Sequence, residues 1–230
     1  MKTADIKVTY RRHMGDDLTV VDAARVSFDK ESEWDYHDDG LFAQPFLSDK
    51  DAKLIRYLAH HNHWSPFAHT SIQLRVKAPI FVARQLVKHQ VGGVWNEVSR
   101  RYVDDEPEFF FPAEWRGRPS GSMKQGSNGA FFNQPRANTW MRDSLFSCVE
   151  TYNTMVEEGM APEQARMILP QNMMTEWIWT GSLMFYTRVC RERLAPGAQY
   201  ETRLVAEQIA EIIAPLFPIS WSALMDHGHG

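Results

Sequence analysis

The chain has 230 residues, of which 43% are hydrophobic and 12% aromatic, and it carries a formal net charge of −4 at pH 7. This apolar content is enough for a hydrophobic core, so an intrinsically disordered chain is excluded. Because nucleic-acid-binding domains are usually strongly basic, the acidic balance also argues against a nucleic-acid partner.

The cysteine content and the N-terminal sequence bear on the compartment in which the protein works. The two cysteines, Cys148 and Cys190, show no CxxC or Cys/His spacing, so we expect neither a disulfide framework nor a metal site. The charged N-terminus lacks the apolar run of a signal peptide, and no stretch approaches the roughly 18 apolar residues of a membrane span. These observations predict a cytoplasmic protein without a membrane partner.

The first half of the chain contains both strand and helix patterns. Apolar residues alternate with polar ones at Ile6, Val8 and Tyr10 and again in the segment 71–77, which is the period of a half-buried strand. The expected elements are a strand over residues 6–11, a short helix over 18–28, a surface insertion over 31–44, a helix over 51–61 and a strand over 71–77. A helix opened by Pro79 should then run through Lys88 and stop at Gly92-Gly93.

The second half of the chain is predicted to be mostly helical. Its expected elements are a core strand at Phe109–Phe111, a long loop over 115–135, helices over 136–158 and 161–168, a strand over 173–180, helices over 182–193 and 199–214, and a frayed tail over 226–230. Helices and strands mix without a regular βαβ alternation, which favours an α+β fold over a doubly wound sheet. Because no repeat or linker divides the chain, we expect one domain over residues 1–230.

The densest chemical signal lies at the centre of the chain, in Arg84–Gln90, the glycine pair Gly92-Gly93 and Trp95–Tyr102. Arg84 and Lys88 would share one face of the predicted helix, and the glycine pair would let main-chain N–H groups approach a ligand. The following segment supplies a carboxylate, an amide, a hydroxyl and guanidinium groups, which suit a phosphate and the edge of a base. A solvated charged surface and a nucleic-acid-binding patch are the alternative interpretations.

Two other patterns invite catalytic interpretations. The histidines at positions 60, 61, 63 and 69 suggest a metal site, but no HExxH-type spacing supports it, and solvated histidines in a pocket wall are the simpler interpretation. Ser99 suggests a nucleophile, but no GxSxG motif surrounds it, and binding a phosphate or a base is the favoured role.

Residues Asn96–Tyr102 resemble the signature of the flavin-dependent thymidylate synthases, a basic-His-Arg triplet followed by a Ser-containing NExSxRY-like stretch. Other segments resemble the same family in the same order along the chain, namely Asp17-Leu18, Ala23–Phe28, His63–His69, Lys77–Gln85, Ala165–Pro170 and Ala198–Glu201. The sequence departs from the family pattern at Lys88-His89-Gln90, which replaces Arg-His-Arg, and by one extra residue between His89 and Glu97. Ala68 also stands where an acidic residue is common, and Gly197 where a histidine is often found.

The resemblance implies a fold, an assembly and a reaction. The fold would be α+β, with a central, twisted and mainly antiparallel sheet flanked by helices, and a homotetramer would form pockets shared by neighbouring subunits. The reaction would be reductive methylation of dUMP to dTMP, with methylenetetrahydrofolate as the carbon donor and FAD, reduced by NADPH, as the hydride source. The alternatives are C5 modification of a related pyrimidine deoxynucleotide, such as hydroxymethylation, and a non-catalytic nucleotide- or RNA-binding role.

The resemblance also implies roles for individual residues by their position in the motifs. dUMP would be bound by Gln85, Lys88, Glu97, Val98, Ser99, Arg100, Arg101, Arg166 and Arg193. FAD would be bound by Ser65, Lys88, His89, Gln90, Glu97, Ser182, Met184 and Arg188. Arg193 matches the arginine that favours ionisation of the uracil N3, so it is the expected catalytic residue, and neither cysteine would act as a nucleophile.

Overall fold

The computed structural model describes residues 2–37, 44–102, 105–119 and 126–226. The predicted insertion at 31–44, the loop at 115–135 and the tail at 226–230 lie partly outside these described residues. The strands are β1 (Lys2–Thr3), β2 (Lys7–Met14), β3 (Asp35–Tyr36), β4 (Pro45–Phe46), β5 (Ser71–Pro79), β6 (Gly93–Glu97), β7 (Glu108–Phe109) and β8 (Met174–Gly181). The helices are α1 (Asp17–Arg25), α2 (Asp49–His60), α3 (Ile80–Leu86), α4 (Gln134–Glu157), α5 (Pro162–Ala165), α6 (Leu183–Arg193), α7 (Tyr200–Ile213) and α8 (Pro218–Asp226).

A four-stranded antiparallel sheet with strand order β2-β5-β8-β6 lies at the centre of the fold. Side chains alternate along β5, where Leu74 and Val76 are fully buried. In the register of the sheet Leu74 pairs with Trp179 and Val76 with Trp177, and both tryptophans are buried as well. The alternation in the sequence therefore predicted both the strand and its buried face. The expected α+β fold with an antiparallel central sheet is confirmed.

Helices α2, α6, α7 and α8 share one hydrophobic core with the sheet, through residues such as Ile55, Val189, Ile209 and Leu224. The N-terminal part of the chain is also joined to α8 by a buried carboxylate. Asp17 accepts hydrogen bonds of 2.9 Å from the backbone N–H groups of residues 219 and 220, in the first turn of α8. These N–H groups have no partner inside the helix, so Asp17 satisfies donors that would otherwise be buried unpaired.

Among the described residues no helix is both long enough and apolar enough to cross a bilayer.

The segment after β5 differs from the prediction. Helix α3 ends at Leu86, so Lys88 lies in a turn and does not share a helix face with Arg84. The polar segment after the glycine pair forms β6, a strand at the edge of the sheet that the sequence analysis did not predict. Only its second and third residues are apolar, and pairing with β8 rather than hydrophobic alternation makes it a strand.

Both glycines before β6 are required by their surroundings. Gly92 has a φ angle of +85°, in the left-handed region that residues with a Cβ rarely adopt. A Cβ added at Gly93 would lie 2.5 Å from the ring of Phe185, which is buried beside the sheet. The glycine pair thus permits a tight turn and a close approach of backbone to an aromatic ring.

One helix was missed by the prediction, and one strand is shorter than predicted. Helix α8 was not predicted, because its sequence is mostly apolar and only Ser222 and Asp226 form a short polar side. The predicted core strand at Phe109–Phe111 is shorter than expected, since β7 ends at Phe109 and pairs with β1 in parallel. Phe109 and Phe110 are nevertheless buried, as expected for core residues. The longer predicted helices agree with α2, α4, α6 and α7 to within a few residues at each end.

Candidate active site

Arg193, the last residue of α6, is held by a histidine from the central motif. Its Nε donates a hydrogen bond of 3.0 Å to Nε2 of His89. The side chains of Arg193 and His89 are 24% and 11% exposed, and the carboxylate of Glu192 lies 3.6 Å from Nη2 of Arg193. The sequence placed these two residues 104 positions apart, and the fold brings the expected catalytic arginine into contact with an expected flavin-binding residue.

The protonation state of His89 follows from this environment. Burial lowers the pKa of the imidazole below its usual value, the positive charges of Arg193 and Arg188 lower it further, and Glu192 opposes the shift. At neutral pH the ring is therefore uncharged, with Nε2 free to accept the hydrogen bond from Arg193 and the proton on Nδ1. Because His89 is neutral, it orients the guanidinium without neutralising its charge. The carboxylate of Glu192, 3.6 Å away, is 63% exposed, and water weakens an ion pair at such a position, so much of the charge of Arg193 remains available to a ligand.

A cavity of about 420 Å³ at the start of β6 contains three of the expected flavin-binding residues, Ser182, Met184 and Arg188. Its full lining is Ala59, Asn62, His63, Trp64, Phe67, Ala68, Val91, Gly92, Ser182, Met184, Arg188, Arg191 and Leu224. Ser182 is the N-cap residue of α6, and its hydroxyl accepts a hydrogen bond from the N–H of Phe185. Nη2 of Arg188 donates to the carbonyl of Val91 at 2.6 Å, which ties α6 to the glycine turn.

The chemistry of this lining fits a flavin nucleotide. Trp64 is 62% exposed and offers a flat aromatic surface, and Ser65 follows it directly in the chain. Among the described residues the buried Nε of Arg191 has no hydrogen-bond partner, so one donor of a guanidinium that lines this cavity is unsatisfied. An aromatic surface suits a fused ring system, and guanidinium donors suit the phosphates of a dinucleotide.

A second cavity of about 650 Å³ contains four of the expected dUMP-binding residues, Glu97, Val98, Arg100 and Arg166. The carboxylate of Glu97 accepts hydrogen bonds from Thr175 Oγ1 at 2.6 Å and from the indole N–H of Trp95 at 3.1 Å. The N–H of Val98 donates to the carbonyl of Glu176 at 2.8 Å. The end of β6 is thus anchored to β8 beside Arg100 and Arg166, whose guanidinium groups can bind a phosphate. The same cavity is also lined by the acidic residues Asp105, Glu106, Glu108 and Glu176.

The two cavities lie toward opposite ends of β6. Gly93 pairs with Gly181 at one end, next to Ser182, whereas Glu97 pairs with Trp177 at the other. Four residues of strand separate these ends by about 13 Å. Within the described chain, the expected flavin-binding residues of the first cavity therefore lie apart from the expected dUMP-binding residues of the second.

Of the remaining expected residues, Lys88, Gln90 and Arg101 are exposed and Ser99 is half-buried. Lys88 and Gln90 are exposed on either side of His89, and neither lines the cavities described above. Ser99 and Arg101 are partnered with each other, because the hydroxyl of Ser99 accepts from both N and Nε of Arg101 at 3.3 Å. Both of these contacts are with the N–H donors of Arg101, and the binding role of Ser99 stays a prediction.

Gln85 is half-buried, and its partners were missed by the sequence analysis. Its Nε2 donates to Oε1 of Gln199, and its Oε1 accepts from the hydroxyl of Thr202 at 3.3 Å. Gln199 belongs to the segment 198–201, which resembles a family segment but for which no binding residue is predicted. That resemblance was the only signal in the sequence, because the two glutamines are 114 positions apart.

The histidines at the end of α2 pack as aromatic rings. The ring of His61 lies 4.0 Å from that of Tyr57, and its Nδ1 is 2.9 Å from the carbonyl oxygen of Tyr57. The rings of His60 and His61 are 5.0 Å apart at a near-perpendicular angle. Within the ranges that the structure describes, no group of three or more His, Cys, Asp or Glu side chains is placed to hold a metal ion.

Several known proteins are similar to this chain over most of its length. The family model for thymidylate synthase complementing protein matches residues 11–219. A flavin-dependent thymidylate synthase of Thermus thermophilus is 38% identical over 214 residues, which cover 93% of this chain and 73% of that protein. Another, from Kosmotoga olearia, is 33% identical over 220 residues and covers 94% of this chain and 88% of that protein.

A solved structure shares the fold over nearly the whole chain. It is a UMP/dUMP methylase, PolB from Streptomyces cacaoi, bound with 5-Br dUMP, and its TM-score is 0.83 at 28% identity. The match covers 99% of this chain and 98% of that one. The same methylase bound with 5-Br UMP matches with a TM-score of 0.83 at 25% identity. The chain therefore belongs to the thymidylate synthase complementing protein family, the enzyme family of the flavin-dependent thymidylate synthases.

Proposed function

We propose that this enzyme methylates C5 of dUMP to give dTMP in the cytoplasm, with methylenetetrahydrofolate as the carbon donor and NADPH as the reductant of its FAD. The observation that carries the proposal is the Arg193–His89 pair, a guanidinium oriented by a neutral imidazole at a half-buried position. The names of the relatives, and the dUMP analogue bound in the structurally similar methylase, support the same substrate.

The proposed role of Arg193 is to stabilise negative charge on the uracil ring. Methylation requires C5 to become nucleophilic, and loss of the N3 proton makes the ring electron-rich. A fixed cation beside the base stabilises this charge as it develops, and a guanidinium is always protonated at neutral pH. The hydrogen bond from Arg193 to His89 would keep that cation in place before the nucleotide arrives. No covalent adduct with a cysteine is needed.

We assign the two cavities to the two nucleotides. The cavity that contains Ser182, Met184 and Arg188 would hold FAD, together with Ser65, Lys88, His89, Gln90 and Glu97. When bound and reduced, FAD supplies the hydride that converts the transferred one-carbon unit into a methyl group. Arg100 and Arg166 would hold the phosphate of dUMP, with Gln85, Lys88, Glu97, Val98, Ser99, Arg101 and Arg193 completing its site.

The separation of the two cavities supports a homotetramer. Ser182, Met184 and Arg188 of the expected flavin site and Val98, Arg100 and Arg166 of the expected nucleotide site line cavities toward opposite ends of β6, about 13 Å apart. A reaction between the two ligands needs them in contact, so residues from neighbouring subunits would complete each site. We propose that each subunit contributes one domain, residues 1–230, to an assembly of four.

An absorbance spectrum of the purified protein with added FAD tests the cofactor, and sedimentation tests the assembly. We expect flavin bands that shift on binding, that bleach with NADPH, and that respond to dUMP. The sedimenting species should have four times the mass of the chain. A monomer at micromolar concentration whose flavin spectrum does not respond would overturn the proposal.

A second substrate, UMP, is favoured by the similar structure, whose protein is described as a UMP/dUMP methylase. Parallel reactions with UMP and dUMP, analysed by mass spectrometry, would show whether the enzyme accepts the ribonucleotide. The same spectra distinguish a methylated product from a hydroxymethylated one. A methyl product from dUMP supports the main proposal, and a hydroxymethyl product contradicts it.

Both cysteines should be dispensable for turnover. Cys190 is fully buried, its thiol contacts the carbonyl of Ala206 at 3.6 Å, and burial raises the pKa of the thiol, which disfavours the nucleophilic thiolate. A Cys148→Ser, Cys190→Ser double variant should keep the wild-type rate of dTMP formation, with some loss of stability from the buried position. The rate should also be unchanged by EDTA. Loss of turnover in a double variant that is folded and flavin-bound would restore a thiol mechanism.

A further inference from the structure

A carboxylate connected to the Gln85 amide lies outside the residues that the proposed function uses. Nε2 of Gln199, which accepts from Gln85, donates a hydrogen bond of 3.0 Å to Oε2 of Glu201. Nη2 of Arg116 donates to the other oxygen of Glu201 at 2.6 Å. Glu201 is 4% exposed, and the Arg116 guanidinium also lies over the Tyr200 ring at 4.8 Å. The four residues Gln85, Gln199, Glu201 and Arg116 form what we term the Glu201 relay.

The carboxylate determines the direction of every hydrogen bond in the relay. Because a carboxylate only accepts, Gln199 must turn its NH2 group toward Glu201 and its carbonyl oxygen toward Gln85. Gln85 must then present its NH2 group to Gln199 and its oxygen to Thr202. The hydroxyl of Thr202 does not impose this direction, since it can either donate or accept. Without the carboxylate, the same contacts would be satisfied with both amides reversed.

Arg116 stabilises the carboxylate of Glu201 but does not determine which way the Gln199 and Gln85 amides are oriented. A buried carboxylate without a cation would be costly, and Arg116 supplies the opposite charge from a different segment of the chain. It contacts Oε1, whereas Gln199 contacts Oε2. Any donor to Oε1 would leave the constraint on Gln199 unchanged.

We infer that Glu201 is a positioning residue that sets, through Gln199, which atoms of the Gln85 amide are presented to the pyrimidine nucleotide. This inference rests on the proposed function, in which Gln85 binds dUMP. Among the described residues, Nε2 of Gln85 uses one hydrogen and Oε1 one lone pair in these contacts, which leaves one of each for a ligand, and Gln85 is only partly buried. A reversed amide would present a donor where the nucleotide needs an acceptor, and the affinity would fall.

Glu201→Gln is expected to reverse the orientation of the Gln199 and Gln85 amides. The new amide should turn its oxygen toward the donors of Arg116 and its NH2 group toward Gln199, because the other orientation would place two sets of donors against each other. We expect dUMP to bind about 10-fold more weakly to the FAD-loaded variant in calorimetry, a change of about 1.4 kcal/mol. Arg116→Gln breaks the same ion pair but keeps a donor toward Glu201, so its dUMP affinity should stay within about 2-fold of wild type. Both variants should lose thermal stability.

Two more variants separate positioning from a purely structural role. Gln199→Leu leaves the Glu201–Arg116 pair in place and should weaken dUMP binding as Glu201→Gln does. This variant also tests the inference if Glu201→Gln does not fold. In a Gln85→Leu background, Glu201→Gln should have no further effect on dUMP affinity, because the double-mutant cycle removes the group through which Glu201 acts. FAD binding, read from the flavin spectrum, should be unchanged throughout.

The outcomes are distinct. An equal loss of dUMP affinity in Arg116→Gln and Glu201→Gln, or a Glu201→Gln effect that persists in the Gln85→Leu background, would overturn the inference while the proposed function stands. Unchanged affinity in both Glu201→Gln and Gln199→Leu would do the same. A wild-type protein that binds FAD but neither binds nor methylates dUMP would overturn the proposed function, and the inference with it.

Discussion

Replacing Arg193 with alanine is expected to lower the turnover of dUMP at saturation by about 10²–10³-fold, equivalent to roughly 3–4 kcal/mol of lost transition-state stabilisation. The reason is that the variant loses the cation proposed to stabilise the uracil anion, while the other residues proposed to bind dUMP and all of those proposed to bind FAD remain. FAD binding should therefore be retained. Arg193→Lys should recover only part of the rate, because an ammonium cannot reproduce the planar fork that donates to His89. The measurement is tritium release from C5-labelled dUMP together with NADPH oxidation.

Two control variants make the Arg193 result specific. Arg56→Ala removes the same side chain from an exposed position on α2 and should leave the rate unchanged. Arg166→Ala should mainly raise the KM for dUMP, with a smaller effect once the nucleotide is saturating. Normal turnover by Arg193→Ala at saturating dUMP would show that the activating cation is wrongly assigned. Arg188 and Arg191 would be tested next, although both already donate to backbone carbonyls.

Replacing Asp51 with alanine should cause the largest loss of stability among the ion pairs described here. The side chains of Arg25 and Asp51 are only 15% and 6% exposed, and Nε of Arg25 donates to Asp51 at 3.1 Å. Ser48 and Ser32 add hydrogen bonds of 2.9 and 3.2 Å to the same carboxylate. Removing it leaves a guanidinium buried without its partner, which typically costs about 3–5 kcal/mol. Tm should fall by roughly 6–20 °C for a chain of this size.

An exposed ion pair provides the control for Asp51. Arg75 and Glu176 also form a two-point contact, at 2.7 Å for each hydrogen bond, but their side chains are 46% and 30% exposed. Glu176→Ala should therefore cost no more than about 1 kcal/mol. Similar losses in the two variants would show that the Arg25–Asp51 pair contributes no more than a surface ion pair.

The contribution of Asp51 should depend on pH in a defined direction. Burial by itself would raise the pKa of Asp51, but the hydrogen bonds from Arg25 and Ser48 and the charge of Arg25 outweigh it and hold the pKa below its usual value. The stabilisation is therefore complete above the unfolded-state pKa of about 3.9 and is lost as the pH falls through the lower folded-state pKa. Denaturant unfolding of wild type and Asp51→Ala should converge only in strong acid.

The sequence by itself determined the elements whose pattern is local. The alternation at 71–77 predicted β5 and its buried face, and amphipathic spacing predicted α2 and α4. The helices α6 and α7 were also predicted from the sequence. The order of short motifs along the chain also predicted the family, because those motifs are properties of the sequence and need no coordinates. The individual ligand-binding roles carried over from that resemblance remain predictions.

Only the tertiary structure decided the features that depend on distant residues. The strand β6 exists because it pairs with β8, more than 70 positions away, and α8 begins where Asp17 accepts its first N–H groups. The Arg193–His89 contact and the Glu201 relay join residues that no local periodicity relates. The physical reason is that these hydrogen bonds form only after the core has brought their segments together, so their geometry is a property of the packed chain.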